Sequence, residues 1–308
     1  MTAEEFERQW IDGNDFIIAH TSGSTGKPKE IRLKKADMRA SACATNAFFG
    51  LGDGAVFFCP LDFAYIAAKM MAVRARECGG TLIAVAPCND FDIQQRVDLL
   101  AIVPSQAKCL LKHPEWASRI GHIIIGGAPL AQTTADALMD AGFHCWQTYG
   151  MTETCSHVAL RPLGSDIYRG LPGIRFSTDT RGCLVIVVER TEPQRFVTND
   201  TVELLTDSTF RWLGRYDNVI NSGGIKIFPE ELEEEIRRVA APDFDFYIAA
   251  DPHPEWGQAV RLVAEAGEEK LDRLRAKLEA TLDHKRLPKR YVSVDSLPRT
   301  YNNKLIRK

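Results

Sequence analysis

Short apolar runs recur in the first half of the chain, at Phe16–Ala19, Val56–Cys59, Leu82–Ala86, Ile123–Ile125 and Cys145–Thr148. Between them, apolar residues return every three or four positions. The runs read as strands, and the spaced stretches at 36–49, 65–78, 92–100 and 130–141 read as helices. Such alternation predicts a large α/β domain around a substantially parallel sheet. From Gly170 the texture changes to short β-rich pieces, Cys183–Glu189, Gln194–Thr198 and Val202–Thr206, cut by Gly, Pro, Asp and Asn, which predicts a β subdomain over 170–213.

A third texture follows Leu213 and Gly214. Pro229 opens a helix with acidic residues in its first turn and a stripe of Leu232, Ile236 and Val239. Strand-like Phe244–Ala250 and Val260–Glu265, a helix near 268–283 and a strand near 290–294 complete a small α+β unit. The predicted domains are 1–214 and 215–308, with the linker at Gly214–Asp217.

Composition narrows the function classes. With 308 residues, 45% hydrophobic and 26% charged, the chain is an ordinary globular protein, neither disordered nor coiled coil. A formal charge of -3 supplies no broad basic field, so nucleic acid is not an expected partner. No apolar run approaches the roughly 20 residues of a membrane helix. The N-terminal MTAEEFERQW is acidic where a secretory signal would be basic, so a cytoplasmic protein without a membrane partner is expected. The eight cysteines form no C-x-x-C pair and are expected as reduced core residues.

The segment His20–Lys29 concentrates two glycines, four hydroxyl residues and two lysines after a strand-like FIIA. Glycines let backbone N–H groups turn towards an anion, while hydroxyls and lysines add donors and charge, so the loop is expected to cradle phosphates. It is not a Walker A loop, since Thr21 stands where the first Gly belongs and Pro28 follows Lys27. Pro28 disfavours immediate helix formation, so the loop is expected to join two strands.

These residues resemble the adenylate-forming superfamily of acyl-CoA synthetases, stand-alone adenylation domains and luciferases. Thr21, Ser22, Gly23, Ser24, Thr25, Gly26 and Lys27, with Pro28 and Lys29, match its TSG[ST]TGxPK phosphate loop; Glu30 departs from the usual Gly. Further motifs follow in the family's order. Gly126-Gly127-Ala128-Pro129 is similar to the adenine-binding turn. Gln147-Thr148-Tyr149-Gly150-Met151-Thr152-Glu153 is similar to the YGxTE motif, which implies that Tyr149 stacks on adenine, Thr152 holds the α-phosphate and Glu153 binds Mg²⁺. Asp200 stands where the family binds ribose, with Asn199 replacing Gly. Leu213–Glu233 resembles GRxDxxIxxxGxxIxPxExE, which implies Arg215 on ribose or phosphate and Asp217 at the hinge. Leu297–Arg307 is similar to the closing LPxTxxGKxxR pattern, with Lys304 as the implied adenylation lysine.

The resemblance implies an N-terminally shortened adenylate-forming fold with a mobile C-terminal domain, and ATP, Mg²⁺ and CoA in the reaction. Only about 20 residues precede the phosphate loop, fewer than a typical member has, which bears on the acyl pocket and CoA site more than on ATP binding. Ser222, Gly223, Gly224 and Lys226 are implied on the CoA side. Phe63, Tyr65, Ala68, Lys69 and Arg74 are the expected acyl-site residues. The likeness is greatest to short o-succinylbenzoate-CoA ligases of menaquinone synthesis, whose substrate carries a second carboxylate. Arg74 is the first candidate to grip it and Lys69 the second, with a solvated helix cation as the plain alternative for both. Two alternatives stay open: another aryl- or acyl-activating enzyme, including one that loads a carrier protein, and a truncated nucleotide-binding protein without synthetase activity. A homodimer is entertained as the assembly.

Overall fold

Helix α1 (Ala3–Ile11) begins at Thr2, whose hydroxyl accepts from Glu5 N at 3.2 Å while the Glu5 carboxylate accepts from Thr2 N at 2.8 Å. This capping box satisfies two otherwise orphaned donors, and the helix buries Phe6 and Trp10. The computed structural model describes residues 1–20, 30–189, 192–299 and 305–307. The expected phosphate loop, Thr21–Lys29, and the expected adenylation lysine, Lys304, lie outside them. The strands flanking the loop, β1 (Phe16–His20) and β2 (Glu30–Lys34), pair antiparallel in register Phe16 to Lys34 and His20 to Glu30, as the loop-between-strands reading expects.

The chain then alternates: α2 (Lys35–Phe49), β3 (Val56–Cys59), α3 (Ile66–Glu77), β4 (Thr81–Ala84), β5 (Val97–Ile102), α4 (Ala107–Lys112), β6 (Ile120–Ile125), α5 (Gln132–Asp140) and β7 (Cys145–Met151). Next come β8 (Ser156–Pro162), β9 (Ile167–Gly170), β10 (Ile174–Thr178), β11 (Cys183–Val188), β12 (Gln194–Thr206) and β13 (Thr209–Arg215). One sheet takes these strands in the order β10-β11-β12-β13-β9-β8-β7-β6-β5-β3-β4. From β4 to β7 the pairings are parallel, and β7 with β8 begins an antiparallel section.

Two expectations are corrected. The helix expected at 92–100 is absent: Val97–Ile102 is strand β5, an inner member of the sheet. The spacing of Ile93, Val97 and Leu100 imitates a helical stripe, but an inner strand is buried on both faces, and its unbroken Leu99–Ile102 run carries no period of its own. The pieces at 194–198 and 202–206 are one strand, β12, of 13 residues. Its polar middle continues because Thr198 Oγ1 donates to Leu184 O at 2.9 Å and accepts from Asp200 N at 3.1 Å.

By contacts the chain divides into two units: Met1–Ser177, Val185–Phe196 and Leu204–Arg211 form one, and Thr178–Leu184, Val197–Glu203 and Trp212–Lys308 the other. The first has a core of strand residues such as Leu100, Ile123 and Ile125 packed on Ala107, Leu110 and Leu138 of the helices. In the second, β14 (Ile220–Ser222), β15 (Ile225–Ile227), α6 (Pro229–Ala240), β16 (Phe246–His253), β17 (Gly257–Ala264), α7 (Glu268–Thr281) and β18 (Arg290–Ser293) follow in order. Their sheet runs β15-β14-β17-β16, with β18 parallel to β17, and both helices bury leucine and isoleucine stripes on it.

All eight cysteines are free thiols, five of them buried. Burial pushes Cys145 up to about 12 and Cys59 to about 11, as expected of packing residues rather than nucleophiles. No helix among the described residues is long and apolar enough to cross a membrane.

Candidate active site

In the first unit, β6 and β7 are adjacent and parallel, so the segments leaving their carboxyl ends lie side by side, where open α/β sheets bind ligands. Gly126 packs so tightly there that a Cβ would fall 2.5 Å from Thr148 Oγ1, and Gly127 turns the chain at φ 84°. This sets Gly127-Ala128-Pro129 beside Gln147–Tyr149. Tyr149 lies among aromatic rings, 5.7 Å from Tyr168 and 5.2 Å, edge-on, from Phe210. The Gln147 side-chain oxygen Oε1 accepts from Arg161 Nε at 2.7 Å, across the β7–β8 pair.

The β7–β8 reversal is tightly determined. Gly150 is pressed against the next strand, where a Cβ would lie 2.3 Å from Ser156 O and 2.5 Å from His157 Cα. Thr152 and Glu153 follow in a single 3-10 turn, and the buried Thr154 hydroxyl accepts from Met151 N at 3.1 Å and lies 2.8 Å from Ser156 O. Cys155 and Ser156 have φ of 56° and 78°, a backbone that non-glycine residues seldom adopt and that packing must hold. Met151, Thr152 and Glu153 are thereby presented on a rigid corner. Among the described residues no three His, Cys, Asp or Glu side chains converge. The Glu153 carboxylate offers the kind of hard oxygen ligand that Mg²⁺ takes alongside phosphates and water.

Helix α3 runs behind this corner and buries both of its candidate cations, so neither is solvated. Arg74, 1% exposed, donates from NH2 to Ser156 Oγ at 3.3 Å and faces His157 Nδ1 at 3.5 Å. A guanidinium only donates, so Nδ1 is the acceptor and the ring proton sits on Nε2, 3.0 Å from Thr45 Oγ1. Thr45 in turn donates to Ser41 O within α2 at 3.2 Å. Lys69, also 1% exposed, donates to Ile18 O of β1 at 3.0 Å, and burial lowers its pKa. Ala68 is fully buried, Tyr65 is exposed, and the buried Phe63 ring lies 6.0 Å from Phe6 of α1.

The second unit gathers another set. Arg215 lies between Asp200, with NH1 to Oδ1 at 3.5 Å, and Asp217, with NH2 to Oδ2 at 3.5 Å. Asn199 Nδ2 also donates to Asp217 at 3.3 Å, and Arg181 NH1 donates to Asn199 at 3.0 Å. Ser222, Gly223, Gly224 and Lys226 form the β14–β15 hairpin, whose two-residue turn has φ of 56° and 84°. Positive φ at both positions matches the twist of the strands and favours glycine.

Sequence reasoning missed several partners of these residues. Ser156 and His157 directly follow the YGxTE-like segment, but nothing in their spacing marks them as neighbours of Arg74. Arg161 meets Gln147 through strand register alone. Glu230, Glu233 and Arg307 were visible as motif letters without a role.

The AMP-binding enzyme family matches residues 3–193, and the chain belongs to that family. A feruloyl-CoA synthase of Amycolatopsis is 27% identical over 342 residues, covering 94% of this chain and 68% of its own length. A 2-succinylbenzoate–CoA ligase of Bacillus cereus is 25% identical over 334 residues, with the same coverages. Among solved structures, an acyl-CoA synthetase (AMP-forming)/AMP-acid ligase II-like protein from Dyadobacter fermentans superposes with a TM-score of 0.67 and 34% identity, over 98% of this chain and 91% of that one. The chain thus has the adenylate-forming enzyme fold and falls in the AMP-forming acyl-CoA ligase class.

Proposed function

We propose that the chain activates 2-succinylbenzoate as its acyl-adenylate and transfers the acyl group to CoA, releasing AMP and pyrophosphate. The observation that carries the choice of acid is Arg74: a guanidinium buried on α3, hydrogen-bonded to the residue that ends the Thr152–Glu153 corner. A buried bidentate donor suits an acid with a second carboxylate that must be held unreacted.

In the first half-reaction an oxygen of the reacting carboxylate bonds to the α-phosphorus of ATP, and the bond to the bridging oxygen breaks, so that pyrophosphate leaves. Thr152, the donors of Thr21–Lys27 and Lys304 oppose the negative charge that gathers on the α-phosphoryl oxygens. Glu153 would hold Mg²⁺, which would supply positive charge beside the phosphates. Gly127, Ala128, Pro129 and Tyr149 hold adenine, and Asp200 and Arg215 hold ribose. In the second half-reaction the CoA thiolate attacks the acyl carbonyl and AMP departs. The domain beyond Asp217 turns between the two steps and brings Ser222, Gly223, Gly224 and Lys226 to the thiol side.

The feruloyl-CoA synthase relative favours a second reading, an aryl acid of the hydroxycinnamate type. Acid-dependent pyrophosphate release with Mg-ATP, with and without CoA, separates the two when 2-succinylbenzoate, ferulate, benzoate and fatty acids are compared. The expected result is turnover selective for 2-succinylbenzoate, reduced about 10²–10³-fold by Lys304→Ala. Selectivity for ferulate that survives Arg74→Met would replace the first reading with the second. Carrier-protein loading with little CoA turnover would change the acceptor. ATP binding without turnover of any acid would mark a nucleotide-binding protein.

A further inference from the structure

The closing motif ends in Arg307, three residues after Lys304, and the structure gives that arginine a buried partner. Its NH2 group donates to both carboxylate oxygens of Glu233, at 2.8 and 2.7 Å, and NH1 lies 3.5 Å from Glu230 Oε1. Glu233, 4% exposed on α6, also accepts from Ile248 N at 2.7 Å, which fixes the carboxylate against β16. On the other side of Lys304, Arg299 pairs with Asp245 and forms an isolated bridge with Leu305, and Ile306 N donates to Pro298 O at 2.8 Å. Glu230, in the first turn of α6, reaches the linker: Asn218 Nδ2 donates to it, and Gly214 approaches so closely that a Cβ would lie 2.5 Å from Glu230 Oε2.

We propose that Glu233 and Arg307 are positioning residues for adenylation, clamping the tail that carries Lys304 onto α6, while Glu230 ties the same helix to the linker around Asp217. The inference rests on the reading of Lys304 as the adenylation lysine. Helix α6 then acts as a strut: Glu230 and Glu233, one helical turn apart on the same face, hold the linker and Arg307, so a rotation about the linker carries Arg307 with the helix.

The test compares wild type, K304A, E233Q, R307M and R307K. It reads ATP–pyrophosphate exchange with 2-succinylbenzoate and with ferulate, CoA acylation from preformed acyl-adenylate, and amide hydrogen exchange of a peptide spanning 296–308 in the ligand-free chain. R307M is expected to expose the tail amides and lower adenylation about 10²-fold, the scale of an ångström-size misplacement, with CoA acylation within about twofold of wild type. E233Q, which keeps an acceptor for Ile248 N, follows in the same direction, and R307K, with charge but no fork, falls between. If R307M does not fold, E233Q and R307K decide. Equal loss in both half-reactions indicates general structural damage and overturns the proposal, as does unchanged tail protection, which decides alone if neither acid is turned over. Full adenylation by K304A would instead defeat the reading of the lysine, and a tail loosened in R307M would then be an anchor without a catalytic role.

Discussion

The corner after β7 and the ionic patch around Arg215 both carry residues of the candidate site, yet they are held by different forces. At the corner, closeness is the constraint. Gly150 has no room for a methyl group, Thr154 satisfies the backbone from within, and Cys155 and Ser156 keep strained dihedrals because the surrounding packing leaves no alternative. Around Arg215 the ion pairs are 3.5 Å long, and Arg215 and Asp217 are 44% and 60% exposed, so water competes for both. On the function proposed above, a corner that holds a nucleotide in fixed geometry gains from the first kind of construction, and a linker that changes its dihedrals gains from the second, where no single contact costs much to release.

Substitutions can break that contrast. Gly150→Ala should be the most damaging, about 3 kcal/mol in urea unfolding, because the obstructing atoms are backbone of a neighbouring strand and cannot swing aside. A loss under about 1 kcal/mol would show that the corner yields and that its rigidity is overstated. Gly224→Ala is expected to cost about 1–2 kcal/mol: its surroundings are open, so only the penalty for a left-handed alanine at φ 84° remains. Asp217→Asn should shift stability by less than about 0.5 kcal/mol, with high salt erasing the difference between variant and wild type. A larger effect would place Asp217 in a structural role. The smallest effect should come from Asp12, a surface carboxyl held down to about 2 by hydrogen bonds from Lys35 and Asn14. The fold lowers this pKa, so its contribution is complete above the unfolded value of 3.8 and fades as pH falls towards 2; an Asp12→Asn variant should lack that part of the acid-unfolding profile.

Much of the architecture was legible in the chain. The strand–helix alternation, the shift to β-rich texture after Gly170 and the Pro229 helix are local patterns, and local patterns survive without tertiary information. Strand β5 was misread because burial on both faces removes periodicity. The middle of β12 was misread because Thr198, Asn199 and Asp200 look like a turn until side-chain bonds are seen to replace the turn's role.

The same division holds for the site. The resemblance to the adenylate-forming family marked Thr21–Lys27, Thr152, Glu153 and Lys304 as candidates from the sequence, because each of its motifs is a run of adjacent residues, and adjacency is written in the sequence. Only the tertiary structure could decide that Arg74 lies buried beside Ser156 and His157, that Arg161 reaches Gln147, and that Arg307 closes on Glu233 across 74 positions of chain. Burial and long-range pairing depend on where the backbone brings distant residues together, and no local pattern records that.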